Sequence, residues 1–258
     1  MRAFAILAVA GLVFAPALRA QDFEWSGRLD AGQTIEIKGV NGDVHAMRAS
    51  GNEVEVTARK HEGRRGDADE VTFEVVEHDG GITICAMYPD DPDERPNRCA
   101  PGHDGHMNTN DNDTEVSFEV RVPARVNFVG KTVNGDVDTD RLGGNAYAYT
   151  VNGGITVAAD GIVEASTVNG SIHAAMGRAD WGGDLEFHTV NGSITVEMPA
   201  GVGAEVRAST VNGGLESDFP LTIQGRWGPR RLTGTIGDGG HRLDLETVNG
   251  SIRLKRVG

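Results

Sequence analysis

ASTVNGSIHA, residues 165–174, carries a four-residue core that the chain writes repeatedly. TVNG stands at 132–135, 150–153, 167–170, 189–192, 210–213 and 247–250, and GVNG stands at 39–42. Seven of the 14 asparagines, Asn41, Asn134, Asn152, Asn169, Asn191, Asn212 and Asn249, sit in this one context. Self-similarity of this kind governs the fold before any other feature does. The flanks repeat as well. Val163-x-Ala165-x-Thr167, Leu185-x-Phe187-x-Thr189, Val206-x-Ala208-x-Thr210 and Leu243-x-Leu245-x-Thr247 lead into the turn, and Ile172-x-Ala174, Ile194-x-Val196 and Ile252-x-Leu254 lead out of it. Period-two alternation on both sides of a turn dipeptide reads as strand, turn, strand.

Asn-Gly is the usual signature of a two-residue hairpin. The spacing points elsewhere. From Asn134 to Asn212 the asparagines recur every 17 to 22 residues, with 37 more to Asn249. One identical corner per interval is the pattern of coils that stack with like residues over like, about 4.8 Å apart. Strands of successive coils are then parallel, and parallel crossovers are right-handed in about 98% of cases. The sequence predicts an all-β, right-handed β-solenoid, a single-stranded β-helix with TVNG corners. The long last interval predicts two coils, with Leu232-Thr-Gly-Thr-Ile236 marking an unlabelled one, and places Asn249 near the end of the array. At each corner the asparagine amide is expected to donate to the coil on one side and accept from the other, satisfying backbone groups that the turn leaves unpaired, and glycine to supply a left-handed residue. The threonines share the parity of the inward residues and are placed inward or at the corner rim.

Residues 1–20, MRAFAILAVAGLVFAPALRA, have a basic start, an apolar run and small residues before Gln21. They read as a secretory signal peptide, cleaved after Ala20 or after Ala17. Residues 21–258 then form a single domain. Removing residues 1–20 takes away Arg2 and Arg19 from the 24 basic residues and none of the 38 acidic ones, leaving 22 against 38 and a net charge of −16. Such a surface repels nucleic acid and anionic lipid. No later segment is long and apolar enough to span a bilayer. An exported protein of the periplasm, cell surface or extracellular space is expected, and the only two cysteines, Cys85 and Cys99, are expected to form a structural disulfide there.

Residues 21–128 alternate like strands but lack the tight repeat. They contain a long loop, 86–113, with Pro89, Pro92, Pro96 and Pro101, whose first half the disulfide would pin. This irregular β half is expected to cap the stack. Residues 218–232, with Pro220, Trp227 and Pro229, read as a hairpin or long loop.

Candidate chemistry is sparse. His103 and His106 could offer two imidazoles to zinc, but a site needs three or four ligands and the spacing supplies no third. Asn108, Asn110 and Asn112 with Glu119 imitate part of a calcium loop, but Asp113 stands where the sharp bend requires glycine. Gly234–Gly240 lacks the lysine and helix of a phosphate loop and reads as a turn. Asn-Gly-Ser at 169, 191 and 249 matches a glycosylation sequon only because the corner repeats. Asp90/Asp91 and Asp111/Asp113 lie in a polar loop where nothing would raise a pKa for acid catalysis. No nucleophile signature occurs, and no catalytic residue, metal ligand or cofactor is expected.

The strand–TVNGSI–strand units, the exported start, and ITICAMYPDDPDERPNRCAPG (82–102) followed by DTEVSFEVRVP (113–123) resemble the "putative adhesin" family of bacterial exported domains of unknown function, over about residues 30–256. That resemblance implies a β-solenoid and carries no catalytic residues. The leading expectation is a non-enzymatic binding or scaffolding module with an envelope or surface partner. A carbohydrate-active β-helix enzyme would instead show a groove lined by carboxylates and an arginine. An ice-binding solenoid would need outward threonine ranks.

Overall fold

The structure is a computed structural model describing residues 23–178, 181–224 and 230–258. The expected leader, its cleavage point before Gln21, and Trp227 and Pro229 lie outside the described residues. Nearly every alternating stretch is a strand. The N-terminal half holds β1 (Phe23–Gly27), β2 (Thr34–Lys38), β3 (Val44–Arg48), β4 (Val54–His61), β5 (Thr72–His78), β6 (Gly81–Met87) and β7 (Glu115–Val122). The repeats follow as β8 (Asn127–Lys131), β9 (Val137–Thr139), β10 (Ala146–Tyr149), β11 (Ile155–Ala159), β12 (Val163–Ser166), β13 (Ile172–Met176), β14 (Leu185–Asn191) and β15 (Ile194–Pro199). The chain ends with β16 (Ala204–Asn212), β17 (Leu215–Ser217), β18 (Thr222–Gln224), β19 (Arg230–Ile236), β20 (Arg242–Asn249) and β21 (Ile252–Val257).

Among the described residues these strands form two sheets. Sheet I has the order β1-β4-β7-β3-β9-β11-β13-β15-β21-β17, and sheet II the order β18-β19-β16-β20-β14-β12-β10-β8-β2-β6-β5. Each repeat gives one strand to sheet II, turns through its VNG corner, and gives the next strand to sheet I. Pairing between successive repeats is parallel throughout. Like residues therefore stack. Val44, Val137, Ile155, Ile172, Ile194, Ile252 and Leu215 form one inward row across sheet I, each no more than 6% exposed. Burying an aliphatic side chain of this size contributes about 1.5–3 kcal/mol, so this row contributes roughly 10–20 kcal/mol.

The corners are stitched by two ladders. Each asparagine Nδ2 donates to the Oδ1 of the asparagine beneath it at 2.8–2.9 Å, in the order Asn134 to Asn41, Asn152 to Asn134, Asn169 to Asn152, Asn191 to Asn169, Asn249 to Asn191 and Asn212 to Asn249. These amides face solvent and bond each other rather than the backbone. The buried ladder belongs to threonine. Thr132, Thr150, Thr167, Thr189, Thr247 and Thr210 donate Oγ1–H at 2.8–3.0 Å to the glycine carbonyls of Gly42, Gly135, Gly153, Gly170, Gly192 and Gly250 in the adjacent coil.

Three expectations are corrected here. The corner glycines are not generally left-handed: only Gly42, at φ 114°, lies in that region. Glycine is required because a Cβ at 135, 153, 170, 192, 250 or 213 would run into the glycine carbonyl of the coil beneath. Second, Leu232–Ile236 is no coil. It lies in β19, antiparallel to β16, with β18 antiparallel beyond it. It has no Asn-Gly to carry it into sheet I, and the left-handed Gly237, Gly239 and Gly240 send the chain back instead. Third, Asn249 is an interior rung. The coil β20–β21 lies between β14–β15 on one side and β16–β17 on the other, so Asn212 ends the ladder.

Both ends of the stack change to antiparallel pairing. At one end β4 pairs β7 and β1 pairs β4 in sheet I, while β5 pairs β6 in sheet II. Phe23 stacks on Phe73 at 4.5 Å, and Phe73 meets Phe118 edge-on at 6.0 Å. At the other end β19 and β18 extend sheet II.

The ladders differ in burial, so their removal should differ in cost. Thr189→Val leaves the Gly170 carbonyl without its hydroxyl and should lose about 1–3 kcal/mol, whereas Asn191→Ala breaks solvent-facing bonds and should lose about 0.5–1.5 kcal/mol. Asn212→Ala, with one neighbour, should lose least, and Asn249→Ala should match Asn191→Ala. Gly192→Ala should exceed all of these. Chemical denaturation of the set checks the ranking; equal losses at Thr189 and Asn212 would contradict it.

Candidate functional site

Parallel stacking also aligns the outward residues of sheet II. One row begins with Cys85, Lys38, Lys131 and Tyr149 and continues through Ser166, His188, Glu246, Ser209 and Arg231. A second carries Thr83, Glu36, Val129, Tyr147 and Glu164, and, further along, Glu186, Asp244, Arg207 and Thr233. Strand pitch sets these side chains about 4.8 Å apart. The result is a continuous polar track on one face, in three parts.

At the first part the disulfide-pinned loop lies over the track. Cys85 and Cys99 are bonded, with Cα atoms 5.8 Å apart. Beneath the segment that follows, Glu36 and Lys38 are buried although they point to the outer face. Lys38 Nζ donates to the Ala100 and Gly102 carbonyls, Lys131 Nζ donates to Gly102 O at 2.8 Å and meets Glu36 Oε1 at 2.8 Å, and Glu36 Oε2 accepts from Thr83 Oγ1 and Gly102 N. Burial alone would raise the Glu36 pKa. The hydrogen bond and charge of Lys131, the Gly102 N–H and the charge of Lys38 outweigh it, and the carboxyl sits below its ordinary value. Burial lowers Lys38, with Glu36 opposing.

In the middle part Lys131 Nζ stands 5.5 Å from the Tyr149 ring centroid, and the Tyr149 hydroxyl donates to Glu164 Oε1 at 2.7 Å. Burial and then this carboxylate acceptor push the Tyr149 pKa up. The third part is an open trough of about 510 Å3 lined by Glu186, His188, Arg207, Arg231, Asp244 and Glu246 among others. Burial raises Asp244, against the charges of Arg242 and Arg207 and with those of Glu186 and Asp184. The trough mixes carboxylates that accept, guanidinium groups that donate, and an imidazole that does either, a set suited to a polar, hydroxyl-rich ligand.

The residues singled out in the sequence fall mostly elsewhere. His103 is exposed, and the backbone of His106 pairs with Arg98. Asn108 donates to Glu94, Asn110 to the Asp90 carbonyl and Asn112 to the Asp67 carbonyl, while Glu119 stands on β7 opposite His45 and Thr57. The three asparagines hold the loop in place. Asp113 accepts from the Arg65 backbone, and Asp90 from that of Asn97. Among the described residues no group of three or more His, Cys, Asp or Glu is placed to hold a metal ion, and no helix is long and apolar enough to cross a membrane. The track residues themselves were missed because they are far apart in sequence. Counting outward parity back from each corner would have aligned them.

Glu36→Gln keeps the shape but leaves two lysines without their carboxylate, and should cost on the order of 3 kcal/mol. The depressed folded pKa fixes the sign. The stabilisation is complete above the ordinary carboxylate value of 4.5 and is lost as pH falls through the lower folded value. Melting of the wild type and of the variant should therefore converge below that pH; a constant gap across the range would contradict the assignment.

The family model described as Toastrack DUF4097 matches residues 28–255. Among solved structures the chain is similar to a "putative cell adhesion protein" from Clostridium sporogenes ATCC 15579, with a TM-score of 0.45 and 13% identity over 92% of this chain and 100% of that one. It is similar also to a "putative adhesin" from Bacteroides fragilis NCTC 9343, with a TM-score of 0.37 and 11% identity over 92% and 97% of the two chains. A "putative adhesin" from Parabacteroides distasonis ATCC 8503 gives 0.26 and 15% over the same shares. No curated protein matches. The family match runs from Arg28 to Lys255, nearly the whole chain, and the protein belongs to the Toastrack DUF4097 family.

Proposed function

We propose that this chain is an exported, non-enzymatic binding or scaffolding module of the cell envelope, and that the outer face of sheet II holds its partner. The observation that carries this reading is the polar track, whose side chains repeat at strand pitch over successive strands and so suit a linear polymer of polar units. An envelope polysaccharide fits that description. The domain is read as residues 21–258, a right-handed β-solenoid in which Asn41, Asn134, Asn152, Asn169, Asn191, Asn212 and Asn249 are structural rungs. The handedness rests on the rule for parallel crossovers. Export is supported by the basic start and apolar run of residues 1–20 and by the Cys85–Cys99 disulfide, which suits an oxidising compartment.

One observation favours a second reading, a carbohydrate-active enzyme. The trough is lined by Glu186, Asp244 and Glu246 beside Arg207 and Arg231, and Asp244 holds its proton more tightly than an ordinary aspartate. Glycoside hydrolysis uses a pair of carboxyl groups, one of which holds its proton to act as the acid.

Binding of purified envelope polysaccharides to the mature protein, followed by calorimetry and by assay for new reducing ends, separates the two. The module predicts binding without product. Glu186→Gln with Asp244→Asn and Arg207→Gln should weaken it about tenfold or more, as expected when several polar contacts worth about 1 kcal/mol each are lost, with melting unchanged. Product formation abolished by Asp244→Asn alone would establish the enzyme. Undiminished binding by the triple variant would remove the track from either reading.

A further inference from the structure

The coil β20–β21 follows β16–β19 in sequence, yet it is not the last coil of the stack. It occupies a slot between two coils formed by earlier residues. On one flank Leu243, Leu245 and Asn249 pair with Leu185, Phe187 and Asn191 of β14, and on the other with Val206, Ala208 and Asn212 of β16. Ile252 lies between Ile194 of β15 and Leu215 of β17. Both ladders pass through it: Asn249 donates to Asn191 and accepts from Asn212, and Thr247 donates to Gly192 while the Gly250 carbonyl accepts from Thr210. Without this segment the slot presents two open edges of hydrogen-bonding groups and an uncovered core.

Such a slot fits a strand–TVNGSI–strand unit whose apolar residues match Leu243, Leu245, Ile252 and Leu254. The tether is short and glycine-rich. Gly237, Asp238, Gly239, Gly240 and His241 join β19 to β20, and the three glycines sit at φ of 56°, 79° and 143°. Extended, five residues reach roughly 17 Å, about three strand spacings.

We propose that the slot accepts the same C-terminal coil from a second copy of this chain, so that two copies assemble by reciprocal exchange of residues 242–257. Every contact of the coil is remade in the partner, and only the tether and the new junction between copies differ. Closed and exchanged forms are therefore near in free energy, and the conformation of the tether decides between them. Reciprocal exchange fills both slots and leaves no open edge, whereas a one-way exchange leaves one slot empty. The partner surface is thus interior to the fold and becomes available only when the coil is released.

The test uses full-length protein. Thr195 and Arg253 are register partners on the outer face of sheet I. One preparation carries Thr195→Cys and another Arg253→Cys; the native cysteines stay bonded. The two are mixed, taken through partial unfolding in guanidinium, refolded at high concentration, and treated with a short bismaleimide. Exchange predicts a dimer by light scattering and a cross-linked species of twice the chain mass that forms from the mixture and not from either preparation alone. The double variant T195C/R253C in one chain reports that the pair is within cross-linking reach. Gly239→Ala with Gly240→Ala disfavours the closed tether and should raise the dimer fraction roughly tenfold, since each residue held at positive φ becomes costly. The proposal falls if the mixture yields no cross-linked dimer while the double variant cross-links internally. It falls equally if the single preparations cross-link as well as the mixture, which would indicate simple surface association.

Discussion

Backbone meets backbone at the corner, and the rest of the molecule is arranged around that contact. Coil after coil brings the glycine of one VNG against the glycine carbonyl of the next, close enough that a single methyl group would hold them apart. This approach leaves a part-buried acceptor, and the threonine hydroxyl of the adjoining coil, three residues before that coil's own corner glycine, supplies the donor. With that requirement met, the outer asparagines can link to one another, the valines between them can face solvent, and the strands on either side fall into like-with-like register. The aliphatic row in sheet I follows from the same geometry.

A register fixed at the corner also organises surface chemistry. Because the stack does not slip, every outward side chain on sheet II has a neighbour of known identity on each flanking strand. Carboxylates beside guanidinium groups at one end, tyrosines in the middle and a buried Glu–Lys–Lys cluster at the other end are positions along one ruler. The disulfide-pinned loop covers the last of these and leaves the trough open, so the two ends of a chemically continuous face differ in access.

Much of this was legible in the sequence. The VNG recurrence, the flanking alternation and the parity of Thr167 or Thr189 gave the strands, the stacked coils and threonines set inward or at the corner rim, and the paired cysteines gave the bridge; the division into two sheets came from the structure. What was not legible was order. Asn249 follows Asn212 in the chain but precedes it in the ladder, and no local feature of either corner says so. The glycines were assigned the wrong constraint for a related reason: positive φ is a property of one residue, while the steric demand at 170 or 192 exists only once another coil is present. The track was hidden because Glu36 and Lys131, or Glu186 and Asp244, become neighbours only through the stack. Asn108 and Asn110, conspicuous in sequence, are occupied with their own loop, and Asn112 ties it to Asp67 and Glu70.

The ladders have a polarity. Every corner asparagine amide from Asn134 onward and every corner threonine donates toward the same end of the molecule, where Asn41 only accepts. Aligned bonds of this kind polarise one another, but they are also degenerate, since any rung satisfies any other. The corners are an alphabet of one letter and hold no address. What tells one coil from another must lie in the unrepeated parts: Phe187 set between Ala165 and Leu245, the glycine tether before β20, and the antiparallel strands that close each end. Duplication of a coil would leave the ladders intact and burden only those addresses, so a lineage built on this stack can change its length without inventing new chemistry at the corner.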